Sequence, residues 1–239
     1  VVIYLQENNP VGEEVKMDST IKKGIGWDLV RVHKAITRSM QVILSRSQDF
    51  AEAGFPDAVT QAGFTDYVRC FQSYIHAHHT TEEELAFPYF RTKLPDEPYD
   101  AMLIEHSQIA WLVYEIRSMV GEPGGAAIEP GKLKNLESAV TDIDQIWRQH
   151  IPKEENSFSP QHLDQVMSLE QQVTMSRQFG EHSARHAAPD YLVIPFLLMN
   201  LEGEDREAIA QNLPPLVTQQ LVPVVWKDKW APMRPFLLP

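Results

Sequence analysis

The sequence has a single cysteine, Cys70, among 239 residues. One thiol rules out an intramolecular disulfide, and it rules out zinc or iron–sulfur sites built from four cysteines. Set between Arg69 and Phe71 in an aromatic stretch, Cys70 reads as a small buried hydrophobe. Clustered cations are also missing: 21 Lys and Arg stand against 33 Asp and Glu, for a formal charge of −12. Phosphate binding needs grouped Lys and Arg, so no nucleic acid is expected as a partner, and an acidic surface is poorly suited to an anionic membrane. Long apolar runs are absent too. The longest, Tyr191 to Met199, contains Pro195 and falls well short of the roughly 20 residues that span a bilayer. There is no charged start followed by a hydrophobic stretch of signal-peptide type, so a soluble, intracellular (cytoplasmic) protein is expected, monomeric or homodimeric. Glycine-rich phosphate loops, nucleotide fingerprints and Ser/His/Asp elbows are missing as well.

What is present is a helix-forming pattern. With 43% hydrophobic and 23% charged residues, the chain can bury a sizeable core. From Ile21 to Leu44, Ile25, Leu29, Val32, Ile36, Met40 and Ile43 recur at threes and fours, the period of a helix, and His33 lies beside that stripe. A second helix is expected from about Phe64 to Tyr89, a third from Pro98 to the Gly121-Glu122-Pro123-Gly124-Gly125 terminator, and a fourth from Lys132 to about Glu155. Ser159-Pro160 then starts a fifth, His162 to Ala187, with Ser159 as a candidate cap. The expected fold is all-α: an N-terminal arm over residues 1–20, an up-down four-helix bundle over 21–160, and a C-terminal helical extension over 161–239 with a Pro-rich tail. Trp226, Trp230 and Phe236 are expected to clamp that tail to the body.

Chemistry enters with two His-xxx-Glu pairs, His79/Glu83 and His150/Glu154. Positions four apart share a helix face, about 6 Å apart along the axis, so an imidazole and a carboxylate reach one ion or two adjacent ions. Each pair follows a lone histidine at a nearly equal interval, His33 before the first and His106 before the second. Each glutamate is followed four residues later by a phenylalanine (Phe87, Phe158), with a proline beyond (Pro88, Pro160). Two such halves related by a pseudo-twofold axis give four imidazoles and two bridging carboxylates in one core. Mixed nitrogen and oxygen ligation with open positions suits iron best, although composition also allows manganese or zinc. His78 and Glu82 are likewise four apart, so spacing does not settle the register. Aligning Glu83-Glu84-x-x-Phe87 with Glu154-Glu155-x-x-Phe158 favours His79 and Glu83, leaving His78 and Glu82 as supporting or surface groups.

The run Ile75-His76-Ala77-His78-His79-Thr80-Thr81-Glu82-Glu83-Glu84-Leu85-Ala86-Phe87-Pro88 resembles the signature of the hemerythrin-like (HHE cation-binding) family. So do Glu105-His106 and His150 to Glu154 with Glu155 and Phe158, and the match covers roughly residues 22 to 158. The resemblance implies a four-helix bundle around two iron ions (Fe2+/Fe3+), oxo- or hydroxo-bridged, that can meet dioxygen. It implies His33, His79, His106 and His150 as ligand histidines and Glu83 and Glu154 as bridging carboxylates. Oxygen-carrying members have five histidines, two of them spaced by four on the third helix, and here Met102 and Ala110 occupy the candidate positions. One metal is therefore expected to be less saturated than in a carrier, the gap being filled by water, by substrate or by a residue from outside the bundle.

Candidates for that residue are His182 and His186, four apart in the fifth helix, either as an additional ligand or as a proton donor. Tyr74 and Tyr114, with Tyr67, are candidate hydrogen-bond donors or redox-active neighbours, with core packing as the alternative. Arg31 is a candidate partner for a bridging acid or an anionic substrate, with a solvated arginine as the alternative; His76 reads as solvated or structural and His162 as a surface residue. The leading functional expectation is a non-haem di-iron oxidase or oxygenase that uses dioxygen or peroxide on a small organic substrate. The alternatives are an oxygen- or iron-binding, sensing or storage protein, and a structural bundle stabilised by metal.

Overall fold

The protein is described by a computed structural model covering residues 22–239, and the expected arm over residues 1–20 lies outside the described residues. The first helix, α1 (Ile25–Ala53), runs past its expected end because Ser47 and Phe50 keep its buried face going. It stops at Gly54, whose φ of 78° an L side chain rarely adopts. Helix α2 (Ala58–Thr81) starts before Phe64 because Asp57 accepts a hydrogen bond from the Thr60 backbone N–H at 2.7 Å. It then passes through a π-helical stretch, Glu82–Ala86, into α3 (Phe87–Arg91). Helices α4 (Tyr99–Val120) and α5 (Leu133–Ser157) complete a ring in which α1 packs on α5 and α2, and α4 packs on the same two. The buried Arg69 secures the end of α4 by donating to the carbonyls of Val120 (3.0 Å) and Ala126 (2.8 Å), one in the last turn of that helix and one in the loop after it.

The expected single fifth helix is two. Met167 takes an extended conformation after α6 (Pro160–Val166), and Ser168 then begins α7 (Leu169–His186) with a capping box to Gln171. Ser159 caps α6 by accepting from the His162 N–H. Helices α8 (Asp190–Met199) and α9 (Gly203–Gln211), a π-helical segment (Val217–Val225), α10 (Lys227–Trp230) and a 3-10 segment (Ala231–Phe236) follow. This extension is fastened where Arg38 donates to Tyr67 Oη (3.3 Å), to the Asn200 side-chain carbonyl and to the Phe236 carbonyl (3.1 Å). Trp230 and Phe236 are buried and Trp226 is partly so. Among the described residues no helix is long and apolar enough to cross a membrane.

Two apolar clusters divide the bundle along its axis. The larger holds Ile36 and Met40 of α1, Phe71 and Ile75 of α2, Ile109 of α4, and Ile143 and Trp147 of α5. The smaller holds Phe87, Phe90, Tyr99, Met102, Phe158 and Leu163. On each long helix the histidines fall in between: His33 after Leu29 and before Ile36, His79 between Ile75 and Phe87, His106 between Met102 and Ile109, His150 between Trp147 and Phe158. The helical period that buries both clusters therefore forces these polar side chains inward as well.

The 3-10 segment lies so close to α2 that a Cβ at Gly63 would sit 1.9 Å from the Pro232 carbonyl oxygen. Gly63→Ala is expected to cost about 1–3 kcal/mol of stability, as overpacking does, and to speed proteolysis of the C-terminal segment. In a urea titration of both variants, Gly131→Ala, with nothing within 4 Å of its Cβ, should be neutral.

Candidate metal centre

Seven side chains from four stretches of chain converge between the two clusters: His33 of α1, His78 and His79 of α2, Glu82 of the π-helical stretch, His106 of α4, and His150 and Glu154 of α5. None is more than 7% exposed. They form two groups, His33/His78/Glu82/Glu154 and His79/His106/His150, with the candidate donor atoms of each group within 4.8 Å of one another. The carboxylates span the groups. Glu154 lies 3.2 Å from His33 Nε2 through Oε2, 3.1 Å from His150 Nε2 through the same oxygen, and 3.4 Å from His106 Nε2 through Oε1. Glu82 Oε2 lies 3.5 Å from His78 Nε2 and 3.6 Å from His106 Nε2.

The donor atoms fit cations better than they fit each other. His33 Nε2, His78 Nε2, His79 Nε2, Glu82 Oε2 and both Glu154 oxygens are buried without a hydrogen-bond partner, and a buried polar atom left so costs about 1–3 kcal/mol. The opposite ring nitrogens are held from outside. His33 Nδ1 donates to Glu155 (2.9 Å), His106 Nδ1 to Glu83 (3.0 Å) and His150 Nδ1 to Glu105 (3.1 Å). A proton fixed on Nδ1 leaves the Nε2 lone pair facing inward, the tautomer that a metal ligand requires. Lys153 in turn pairs with Glu105.

Burial and neighbouring charge set the protonation states. Burial, then the like-charged neighbouring imidazoles, hold His78 and His79 well below the ordinary imidazole value, so both are neutral. Burial, reinforced by Glu154 and Glu83, pushes the Glu82 carboxyl well above its ordinary value. Burial acts on Glu154 in the same direction, but His150, His106 and His33 together outweigh it and hold that carboxyl low. Burial also opposes charge on His33 and His106, yet the nearby carboxylates, Glu154 first and then Glu155 or Glu83, raise both. Aromatic rings close the centre: Phe87 stacks on His106 at 5.4 Å, and Trp147 stands edge-on to His33 at 5.2 Å while donating to Thr37 Oγ1 at 2.9 Å. Surface cavities of about 370 Å³ beside Pro95 and Tyr99 and about 380 Å³ beside Met199 and Trp230 hold none of the seven in their walls.

The structure brings together His33, His79, His106, His150 and Glu154 of the expected set, but it replaces Glu83 with Glu82. The Glu83 side chain is 43% exposed and points its carboxylate at His106 Nδ1. The reason is the π-helical stretch: the Phe87 N–H bonds to the Glu82 carbonyl, five residues back, so one extra residue is accommodated before Phe87. Counting back four residues from Phe87, as α5 allows from Phe158, therefore selects the glutamate that faces outward. His78 joins His33, so the expected pairing of His33 with His79 is also replaced, and His78 supplies a fifth imidazole in place of the one missing near Met102 and Ala110.

Several other candidates lie elsewhere. His182 and His186 gather with Glu84, outside both buried groups. Tyr74 packs on Phe196 in the apolar core and Tyr67 bonds to Asn200. Tyr114 is 66% exposed beside Trp111. Arg31 pairs with Asp28 (2.9 Å) and Asp205 (3.2 Å) instead of a bridging acid. His76 and His162 are exposed, and Cys70 is buried against Met233, where burial pushes its thiol well up. Glu105 and Glu155 were not singled out from sequence as imidazole partners, although each adjoins a candidate ligand in the chain.

A family model described as the hemerythrin HHE cation binding domain matches residues 27–161, more than half of the chain. No curated protein and no solved structure gives a significant match.

Glu82→Ala is expected to lose at least one ion per chain after dialysis against a chelator. Glu83→Ala should keep its ions with affinity weaker by roughly 10- to 100-fold. Full metal content in Glu82→Ala would return the inward role to Glu83. In the metal-free chain a carboxyl raised on folding favours the native state at low pH, and that contribution is lost as pH climbs through its folded value. Glu82→Gln should therefore be more stable than the parent chain once pH exceeds about 4.3, with the gap in melting temperature widening as pH rises.

Proposed function

The chain belongs to the hemerythrin HHE cation-binding domain family, and on that premise we propose that it binds two iron ions and meets dioxygen or peroxide at them. The observation that carries this reading is the set of seven buried donors, five imidazoles and two carboxylates, six of whose inward atoms have no partner within the protein. His33 and His78 would hold one ion, His79, His106 and His150 the other, with Glu82 and Glu154 shared between them. This mixture of nitrogen and oxygen donors suits iron. When bound, iron supplies the electrons and coordination positions that reaction with a small oxidant needs.

The protein's own part is to orient and to exclude. Glu83, Glu105 and Glu155 keep protons on the Nδ1 atoms of His106, His150 and His33 and so fix the ring orientations. Phe87, Met102, Phe158 and Trp147 keep water away from the centre. The burial of all seven donors favours binding, sensing or storing a molecule of two or three atoms over oxidising an organic substrate.

The test is metal content on protein purified without oxygen, with optical spectra recorded before and after air is admitted. About two irons per chain, with an oxygen-dependent band that disappears on degassing, are the expected result. A band that decays irreversibly would transfer the assignment to oxidative chemistry, and a chain that takes up no metal on reconstitution would end it.

A further inference from the structure

A third group of metal-ligating side chains lies outside the buried centre. His182 and His186 stand four apart on α7, so one helical turn places both imidazoles on the same face, with ring centroids 4.6 Å apart. Glu84 reaches them from the π-helical stretch, its Oε2 3.0 Å from His182 Nε2. One donor atom from each of the three lies within 4.8 Å of the others. His182 is buried, whereas His186 reaches solvent and the Glu84 side chain is 59% exposed, which leaves the group open to solvent on one side.

Hydrogen bonding fixes how His182 presents itself. The Thr81 hydroxyl has one proton and gives it to the Ala77 carbonyl at 2.8 Å. Its oxygen, 3.1 Å from His182 Nδ1, must therefore accept, which places the imidazole proton on Nδ1. With Nδ1 so occupied, Nε2 faces the Glu84 carboxylate at 3.0 Å, a contact that needs a proton or a metal ion between the two atoms. His33 shows the same arrangement in the buried centre, with Nδ1 held by Glu155 and Nε2 facing Glu154. A proton shared with Glu84 would leave no part for His186, whereas a metal ion uses all three side chains.

We propose that Glu84, His182 and His186 form an outer site for a divalent first-row transition ion, zinc or ferrous iron, that ties α7 to the bundle. Two imidazoles and one carboxylate suit such an ion and leave positions for water, whereas magnesium and calcium prefer all-oxygen sites. Helix α7 lies beyond the stretch matched by the family, residues 27–161, so two of the three donors belong to the extension and the third, Glu84, to the matched stretch. It anchors that extension to the turn carrying Glu82, and it does not depend on what the buried centre does with an oxidant.

The test starts from protein with its buried centre filled with iron and excess metal removed, titrated with Zn2+ by calorimetry and metal analysis. The parent chain should take up one further zinc ion, with Mg2+ failing to compete. His186→Ala and Glu84→Gln, at solvent-reaching positions that should not disturb folding, should bind it at least roughly tenfold more weakly. Iron content and optical spectrum should be unchanged in both. No further zinc in the parent, or equal zinc uptake in the parent and both variants, would overturn the proposal. So would loss of iron together with zinc in His186→Ala, because the cluster would then belong to the buried centre.

Discussion

Everything in this bundle answers to one constraint: five imidazoles and two carboxylates are buried together, and six of their inward atoms are unsatisfied by the protein. Six unpartnered polar atoms at about 1–3 kcal/mol each are comparable to the whole stability of an ordinary domain. Metal cations at that place relieve the deficit. Metal binding and folding are then two aspects of one equilibrium. The outer glutamates make sense in the same terms, since each holds an imidazole proton on the far side of the ring and keeps the near side available.

The four long helices were legible in the sequence because their apolar period is strong, and the centre's location followed because the histidines fall on the same faces. What sequence spacing could not resolve was a register within one turn. His78/Glu82 and His79/Glu83 have identical separations, and the arbiter used between them, the distance back from Phe87, is valid only in a regular α-helix. The π-helical stretch after Thr81 breaks that assumption by one residue. The extension was harder to read, since Met167 interrupts a polar helical pattern without a proline or glycine. Only the Ser168-x-x-Gln171 box marks the restart.

His78 and His79 both face the core, each toward a different group. Successive residues on a helix differ by about 100° in direction, so adjacent histidines facing a core diverge. Here that divergence sends His78 to the group containing His33 and His79 to the group containing His106 and His150. Two neighbouring positions on α2 thus serve two different clusters, and the fifth imidazole comes from the second helix rather than the third.

The polar layer sandwiched between the larger and smaller apolar clusters has a mechanical consequence. The bundle resembles a laminate, two oily blocks bonded across a single adhesive plane that every long helix crosses once. With cations in the plane the blocks share load and the bundle yields as one piece. Without them the plane is the weakest joint, where water enters first and where the halves separate into independently cooperative units.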